Sequence, residues 1–377
     1  MILKKATILD FRNITEVHLD FNSKINIFIG NNGHGKTNLL EALNYPALVK
    51  SFRGSKDENL INFNSQTTSL LIQASQNNIE TDFQIGLDKQ GTRQVKINGE
   101  QIRKKKEVIG RLHTLVLDPQ TVALVRDAPA GRRRFIDVGL GTISQEYITH
   151  LQACIRIVKQ KNKLFKDYKK RTITYPELRT NMETWNSELA LHSAFITESR
   201  ARYCSELEPH ASRFYSYLAE SDCELKLDYL SCIKESENGE KNSKLEQEIS
   251  SILDYITEQE IQRGRCLVGP QNDDISVTLN KADLRIYGSQ GETRSAAIAM
   301  KLAQSEILVN RKQIRPILFL DDIFSELDRD RSTRFQELVA DNHQLLIATA
   351  RTEDVENFST KNAKQWTVES GVVKEMA

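Results

Sequence analysis

Lys36 and Thr37 close an octapeptide, Gly30-Asn31-Asn32-Gly33-His34-Gly35-Lys36-Thr37, that reads G-x-x-x-x-G-K-T. An apolar run, Ile25 to Ile29, leads into it, and an amphipathic stretch leaves it from Thr37. The motif carries meaning only between a strand and a helix, and both flanks are of those kinds. Gly30, Gly33 and Gly35 permit backbone angles that side chains forbid. Successive amides can then face inward and cradle phosphate oxygens at the positive end of the helix. In that arrangement Lys36 reaches the β- and γ-phosphates and the Thr37 hydroxyl ligates Mg²⁺. The spacing predicts a site for a nucleoside triphosphate such as ATP.

Two further groups suit the same chemistry. Ile317 to Leu320 is an apolar run ending in Asp321-Asp322. Such a strand is expected beside the first one, with Asp321 holding Mg²⁺ directly or through water and Asp322 orienting or deprotonating the attacking water. Tyr287 to Arg294 contains Ser289-Gln290-Gly291 ahead of a helix beginning Ser295-Ala296-Ala297. This stretch reads either as a plain N-cap or as a second anion site. One triphosphate does not need two such sites in one chain. Two chains placed head to tail do, with Ser289 of one closing over the γ-phosphate held by the other.

These groups need a scaffold, and the remaining chain supplies one. Its 377 residues, 39% apolar and 27% charged, are those of an ordinary globular protein of about two units. A net charge of +1 confines any nucleic-acid contact to local patches. No apolar run approaches a membrane span, and the first residues lack the features of a signal peptide. Five scattered cysteines with no C-x-x-C pair suggest free thiols in a reducing cytoplasm.

Met1 to Phe21 reads as two extended segments turning at Arg12-Asn13. Thr68 to Ala74, Ile79 to Leu87 and Gln94 to Ile97 are half-alternating strands, and Asn98-Gly99 is a strong hairpin signal. From Gln145 to about Arg171 the apolar residues Ile148, Leu151, Ile155, Val158 and Phe165 repeat at helical spacing, with Asn162 completing the stripe. Met182, Trp185, Leu189, His192, Ile196 and Tyr203 continue that spacing after Tyr175-Pro176. An antiparallel helix pair is expected, ending at Pro209, followed by a strand from Glu224 to Leu230 and a third helix from Leu245 to Ile261. Glu235 to Lys244 reads as a flexible link. Strands are expected at Ile275 to Leu279, Leu284 to Tyr287 and His343 to Thr349, a helix at Thr293 to Asn310, and a final hairpin at Ser370-Gly371.

The order of phosphate loop, Ser-Gln-Gly signature, Asp-Asp strand and Ser325-Glu326-Leu327-Asp328 resembles ABC-type ATPases of the DNA-repair branch. The resemblance is closer to the RecF family of bacterial recombination mediators. It rests also on the loop as far as Ala42, Ser51-Phe52-Arg53, Ile97-Asn98-Gly99, Arg132-Arg133-Arg134-Phe135-Ile136-Asp137 and Asp321 to Asp328. The family usually has Gly-Pro-His-Arg-Asp-Asp where this chain has Gly269-Pro270-Gln271-Asn272-Asp273-Asp274, and two glutamines where it has Glu292-Thr293. The resemblance implies an α/β fold: an ABC-type P-loop ATPase head with an antiparallel β subdomain and an inserted antiparallel α-helical arm. Residues 1–128 and 263–377 would form the head, and 129–262 the arm.

It further implies a cytoplasmic, weakly active, DNA-stimulated ATPase that forms an ATP-dependent homodimer and acts at gapped or junction DNA. Such a protein works with RecR and RecO to load RecA, in repair, replication restart and the SOS response. Arg12 and Asn13 are then expected to touch nucleotide, and Thr349 to act as a switch residue. Arg103-Lys104-Lys105-Lys106, Arg132-Arg133-Arg134 and the arm cations Arg156, Lys159, Lys161, Lys163, Lys166, Lys169, Lys170 and Arg171 are candidate contacts to double- and single-stranded DNA. A solvated helix face competes with that reading of the arm. A small-molecule kinase, a transporter subunit, a chromosome-organising ATPase and an ATP-binding scaffold share parts of the pattern.

Overall fold

The computed structural model describes residues 1–232, 243–340, 342–359 and 363–376. The chain forms two compact units. One comprises Met1–Val125, His210–Glu224 and Tyr287–Ala377, the other Arg126–Pro209 and Leu225–Ile286. The expected division at residue 128 falls close to the first boundary. Residues 210–224 group with the nucleotide unit instead of the arm, and 263–286 with the arm instead of the head.

In the first unit, a six-stranded sheet runs in the order Val372–Glu375, Lys364–Glu369, Ile25–Ile29, Leu345–Thr349, Ile317–Asp321 and Thr114–Leu117. The last five are mutually parallel, and Val372–Glu375 closes an antiparallel hairpin. The strands Ile317–Asp321 and Leu345–Thr349 are buried at every position. Both faces of a parallel sheet are covered, so these strands read as unbroken apolar runs. The Asp321 strand is not beside the phosphate-loop strand as expected. Leu345–Thr349 pairs with both and separates them.

A second six-stranded sheet is antiparallel, in the order Ile14–Asp20, Ile2–Phe11, Thr67–Gln76, Ile79–Asp88, Arg93–Ile97 and Glu100–Gln101. Asn98 (φ 50°) and Gly99 (φ 82°) make the final turn in the left-handed region that such two-residue hairpins require. One core joins the sheets to the helix Lys36–Leu48 through Leu39, Leu40, Ala42 and Leu43, packed with Ile8, Phe11, Phe28 and Leu346. The helix following the phosphate loop is thereby fixed from both sides.

The second unit holds the helices Pro129–Ile143, Gln145–Lys169 and Ser243–Arg263, most of Tyr175–Ala219, and a three-stranded antiparallel sheet. Ile155 is 62% exposed, while Cys154, Ile157, Lys161 and Phe165 are buried along with Tyr147 and Ile148. The seam of Gln145–Lys169 is therefore rotated from the expected one and admits a lysine. Lys161 lies 2.9 Å from Glu260 and donates to Asn186 Oδ1 at 2.7 Å.

The helix from Tyr175 continues through Pro209 to Ala219 instead of ending there. A proline inside a helix costs about 3 kcal/mol. Ala211, Phe214, Tyr215 and Leu218, at three-to-four spacing beyond it, are all buried. At about 1.5–3 kcal/mol for each large side chain, that burial outweighs the proline. Leu284–Tyr287 is a helical turn, not a strand. The preceding hairpin turns at Asn280 and Lys281, both at positive φ, and Asp283 accepts from the Arg285 amide at 2.8 Å, which starts the turn. Of the expected link, residues 235–242 lie outside the described residues.

Candidate nucleotide site

The phosphate loop is held by its neighbours on three sides. A Cβ at Gly30 would stand 2.1 Å from the Val368 carbonyl oxygen, so only glycine fits against the adjacent strand. Gly35 has φ +107°, and a Cβ there would meet the Asn13 amide at 2.6 Å. Asn13 donates to the His34 carbonyl at 3.2 Å and accepts from Asn38 at 2.8 Å, and the Gly371 amide donates to His34 O at 2.8 Å. Asn13 therefore braces the loop from outside.

Arg12, at φ 51°, reaches the fully buried Glu41 on the helix Lys36–Leu48 through Nε and Nη2, and donates to Ser55 at 2.8 Å. Ser51 also donates to Glu41, and Arg53 to Asn38 at 3.2 Å. Ser51-Phe52-Arg53 thus serves the same brace.

Gly35 N-caps the helix without a capping side chain. The first-turn amides have no intrahelical acceptor and are available to an anion. Lys36 is nearly buried and donates to the carbonyls of Gly30 (2.7 Å) and Asn31 (3.1 Å). Burial pulls its pKa down, opposed by Asp322 and Asp321. Thr37 Oγ1 donates to Asp321 Oδ1 at 3.0 Å, joining the loop to the acid-bearing strand.

Asp321 is 4% exposed, and its pKa is pushed up to about 6, first by burial, with Thr37 opposing and Asp118 and Asp322 adding to the rise. Asp322 has φ 51°, and its amide donates to the Ala348 carbonyl at 2.9 Å, so the backbone turns sharply where the two acids diverge. Thr349 donates to Asp354 Oδ2 at 3.1 Å, while the carbonyl of Thr349 accepts from the Gly30 amide at 3.3 Å. The strand between loop and acids is therefore bonded to both.

Asp118 belongs to this site and sequence reasoning missed it. Leu117 pairs with Leu320 in parallel register, so Asp118 follows one strand as Asp321 follows the next. Asp118 is buried and accepts from the amide and hydroxyl of Thr121. The signal was present: Leu115-Val116-Leu117-Asp118 repeats the apolar-run-then-acid pattern of Leu318 to Asp321. Asp321 and Asp322 both act on Lys36, and Asp118 acts in turn on Asp321, so the acids outnumber the one lysine here. The Asp321 carboxylate and the Thr37 hydroxyl, 3.0 Å apart, are hard-oxygen donors that fit Mg²⁺ with its other positions taken by water and phosphate.

The raised Asp321 gives a testable sign. Its carboxyl holds a proton more readily in the fold than in the unfolded chain, so stability falls as pH rises from about 4 to about 6 and stays lower above that. Asp321→Asn is expected to stabilise the metal-free protein at pH 8 by about 1–3 kcal/mol. The gain should shrink at pH 5, as read by thermal melts in chelator.

Ser289 caps the helix Gln290–Lys312 in a reciprocal box. Its hydroxyl accepts from the Glu292 amide at 3.2 Å, and the Glu292 carboxylate accepts from the Ser289 amide at 2.7 Å. That amide holds the Glu292 pKa below the usual range. Both the N-cap role and an exposed hydroxyl are therefore present, since Ser289 and Gln290 face solvent. A Cβ at Gly291 would stand 2.2 Å from the Arg331 guanidinium, which packs over this helix start.

The basic clusters divide. Arg103 and Lys104 are exposed, Lys105 and Lys106 are half-buried, and Lys159 and Lys163 are exposed on the arm. Arg132 is 2% exposed and grips Asp274 through Nε and Nη2, both at 2.8 Å. Arg133 is half-buried and donates to the Asp273 carbonyl at 2.6 Å. Arg132, like Lys161, is a structural cation and not a DNA contact. Asp273 and Asp274 of the Gly269–Asp274 motif hold the arm unit together.

With this geometry, comparison with known proteins is decisive. The chain matches the RecF/RecN/SMC N terminal domain over residues 2–374. It is 34% identical, over 99% of its length and 100% of the relative's, to the DNA replication and repair protein RecF of Staphylococcus carnosus. The chain belongs to the RecF family. Among solved structures, the recombination mediator protein RecF-ATP of the RecFOR pathway is 26% identical with a TM-score of 0.90, covering 100% of this chain and 98% of that one. An SmcHead bound to the C-winged helix domain of ScpA is 16% identical with a TM-score of 0.58, over 100% and 97% of the two chains, and shares the fold. The RecF fold here is thus an α/β, ABC-type ATPase head with an antiparallel β subdomain and a helical arm. No helix among the described residues is long and apolar enough to cross a membrane.

Proposed function

We propose that this RecF-family chain is an ATP-dependent DNA-binding protein of recombinational repair and replication restart. It dimerises on ATP, acts at gapped or junction DNA and helps RecR- and RecO-like partners load the RecA recombinase, supporting the SOS response in the cytoplasm. The observation that carries the reading is the Thr37–Asp321 bond, which couples the phosphate loop to the acidic strand in a chain similar to RecF over its whole length.

Gly30 to Thr37 cradle the triphosphate, with Lys36 exchanging its bonds to the Gly30 and Asn31 carbonyls for phosphate oxygens. Thr37 and Asp321 would hold Mg²⁺, with Asp118 beside them. The ion would supply charge neutralisation for the phosphates. Asp322 accepts the proton of the attacking water. Ser289 of a second copy completes the shell of the γ-phosphate, and its rigid capping box presents the hydroxyl. Arg12 and Asn13 act mainly by bracing the loop, as their bonds to Glu41, His34 and Asn38 support.

Asp322 is one methylene shorter than a glutamate, so hydrolysis is slow and stimulated by DNA. A fast, DNA-independent rate of phosphate release would contradict this. The exposed Arg103 and Lys104 of one unit and Lys159 and Lys163 of the other supply phosphate contacts, the half-buried Lys105, Lys106 and Arg133 contributing less. Four such contacts predict about a hundredfold loss of DNA affinity between 50 and 200 mM salt. Anisotropy titrations of labelled duplex measure that slope, and a flat response would remove these residues from the interface.

A further inference from the structure

Phe63 is the most exposed large apolar side chain among the described residues, at 93%. It does not dangle. The Asn62 amide donates to Asp10 O at 2.7 Å, Asn62 Oδ1 accepts from the Asn64 amide at 3.0 Å, and the Ser65 amide closes on Asn62 O at 3.0 Å. The Phe63 carbonyl accepts from Lys89 Nζ at 3.1 Å, and the Lys89 amide donates to Gln66 O at 3.1 Å. A closed, doubly tied turn therefore holds an aromatic ring out in water.

Cations surround that end of the antiparallel sheet. Lys89 lies in the turn between Ile79–Asp88 and Arg93–Ile97. The Ile102 amide donates to Val95 O, which sends Arg103 and Lys104 past the Arg93 end of the same strand. None of Lys89, Arg103 and Lys104 forms an ion pair among the described residues. Three of the nearby acids are occupied: Asp57 by Arg93, Glu58 by Lys56, and Asp88 by the amides of Gln90 and Thr92. An exposed ring on a tied backbone turn, flanked by ammonium and guanidinium groups outside any ion pair among the described residues, matches a nucleic-acid strand with an unstacked base. The same end is tied to the nucleotide helix through Arg12–Glu41 and Tyr45–Asp57.

We infer that Phe63 is a stacking platform for an unpaired base of DNA, with Lys89, Arg103 and Lys104 holding the adjoining phosphates. This rests on the DNA-binding reading above and deepens it, because it gives the head a means to distinguish a gap from intact duplex. The test compares a gapped duplex with an intact duplex of equal length, using the full chain with ATP. Phe63→Ala should weaken binding to the gapped DNA about ten- to a hundredfold, leave the intact duplex unchanged and leave the melting temperature unchanged. Phe63→Trp should restore gap affinity, with its fluorescence quenched on binding. Unaltered gap affinity in Phe63→Ala, or an equal loss on both DNAs, overturns the inference. Loss of ATP-dependent dimerisation in the absence of DNA would also overturn it, assigning the ring to a second copy instead. A wild-type chain that binds neither DNA overturns the DNA-binding reading as well.

Discussion

Asp322→Asn is expected to lower ATP turnover by about 10²- to 10⁴-fold, the range for losing a positioned general base, while ATP affinity stays within a few-fold of the parent. The split follows from the geometry. Asp322 diverges from Asp321 at a left-handed backbone position, and the bond from Thr37 goes to Asp321 alone. Phosphate binding and metal binding therefore keep their ligands when Asp322 loses its charge. Asparagine preserves the volume and tolerates positive φ, so the turn survives. Single-turnover hydrolysis and nucleotide titration measured on the same protein check the split. A parallel loss in both would place Asp322 in binding instead of chemistry.

Arg200→Ala should destabilise the arm unit by about 3–5 kcal/mol, the cost of breaking a buried ion pair from one side. Arg200 is 2% exposed and donates to both oxygens of Asp137, at 3.0 and 3.1 Å, to the Pro270 carbonyl at 2.7 Å and to Tyr147 at 3.1 Å. Without it, Asp137 and Asp273 share a poorly solvated space with no guanidinium between them. Urea unfolding followed by far-ultraviolet circular dichroism reads the loss. Because Arg200 and its partners belong to the unit that carries none of the proposed nucleotide ligands, the folded fraction should still bind ATP.

The nucleotide site was legible because its information is local. A glycine-spaced loop between a strand and a helix, and an apolar run ending in acids, each identify themselves within a few residues. Burial of charge was not legible, because it depends on distant partners. Arg132 lies 142 residues from Asp274, and Lys161 meets Glu260 across the arm, so both read as surface cations in sequence. Strand order failed for a similar reason: the strand separating the loop from Asp321 is Leu345–Thr349, which follows both in the chain. Pro209 misled because its local penalty is visible in sequence while the burial of the apolar stripe beyond it is not, and Asp118 is obscured because a short apolar run ending in one acid is a weak signal on its own.

Sedimentation velocity of the Asp322→Asn protein, with and without saturating ATP and Mg²⁺, asks most directly whether the triphosphate is held between two copies. A monomer without nucleotide and a stable dimer with it, lost again in the Asp322→Asn/Ser289→Arg double variant, is the predicted result. A chain that remains monomeric with ATP bound would contradict the proposal that Ser289 completes a partner's site.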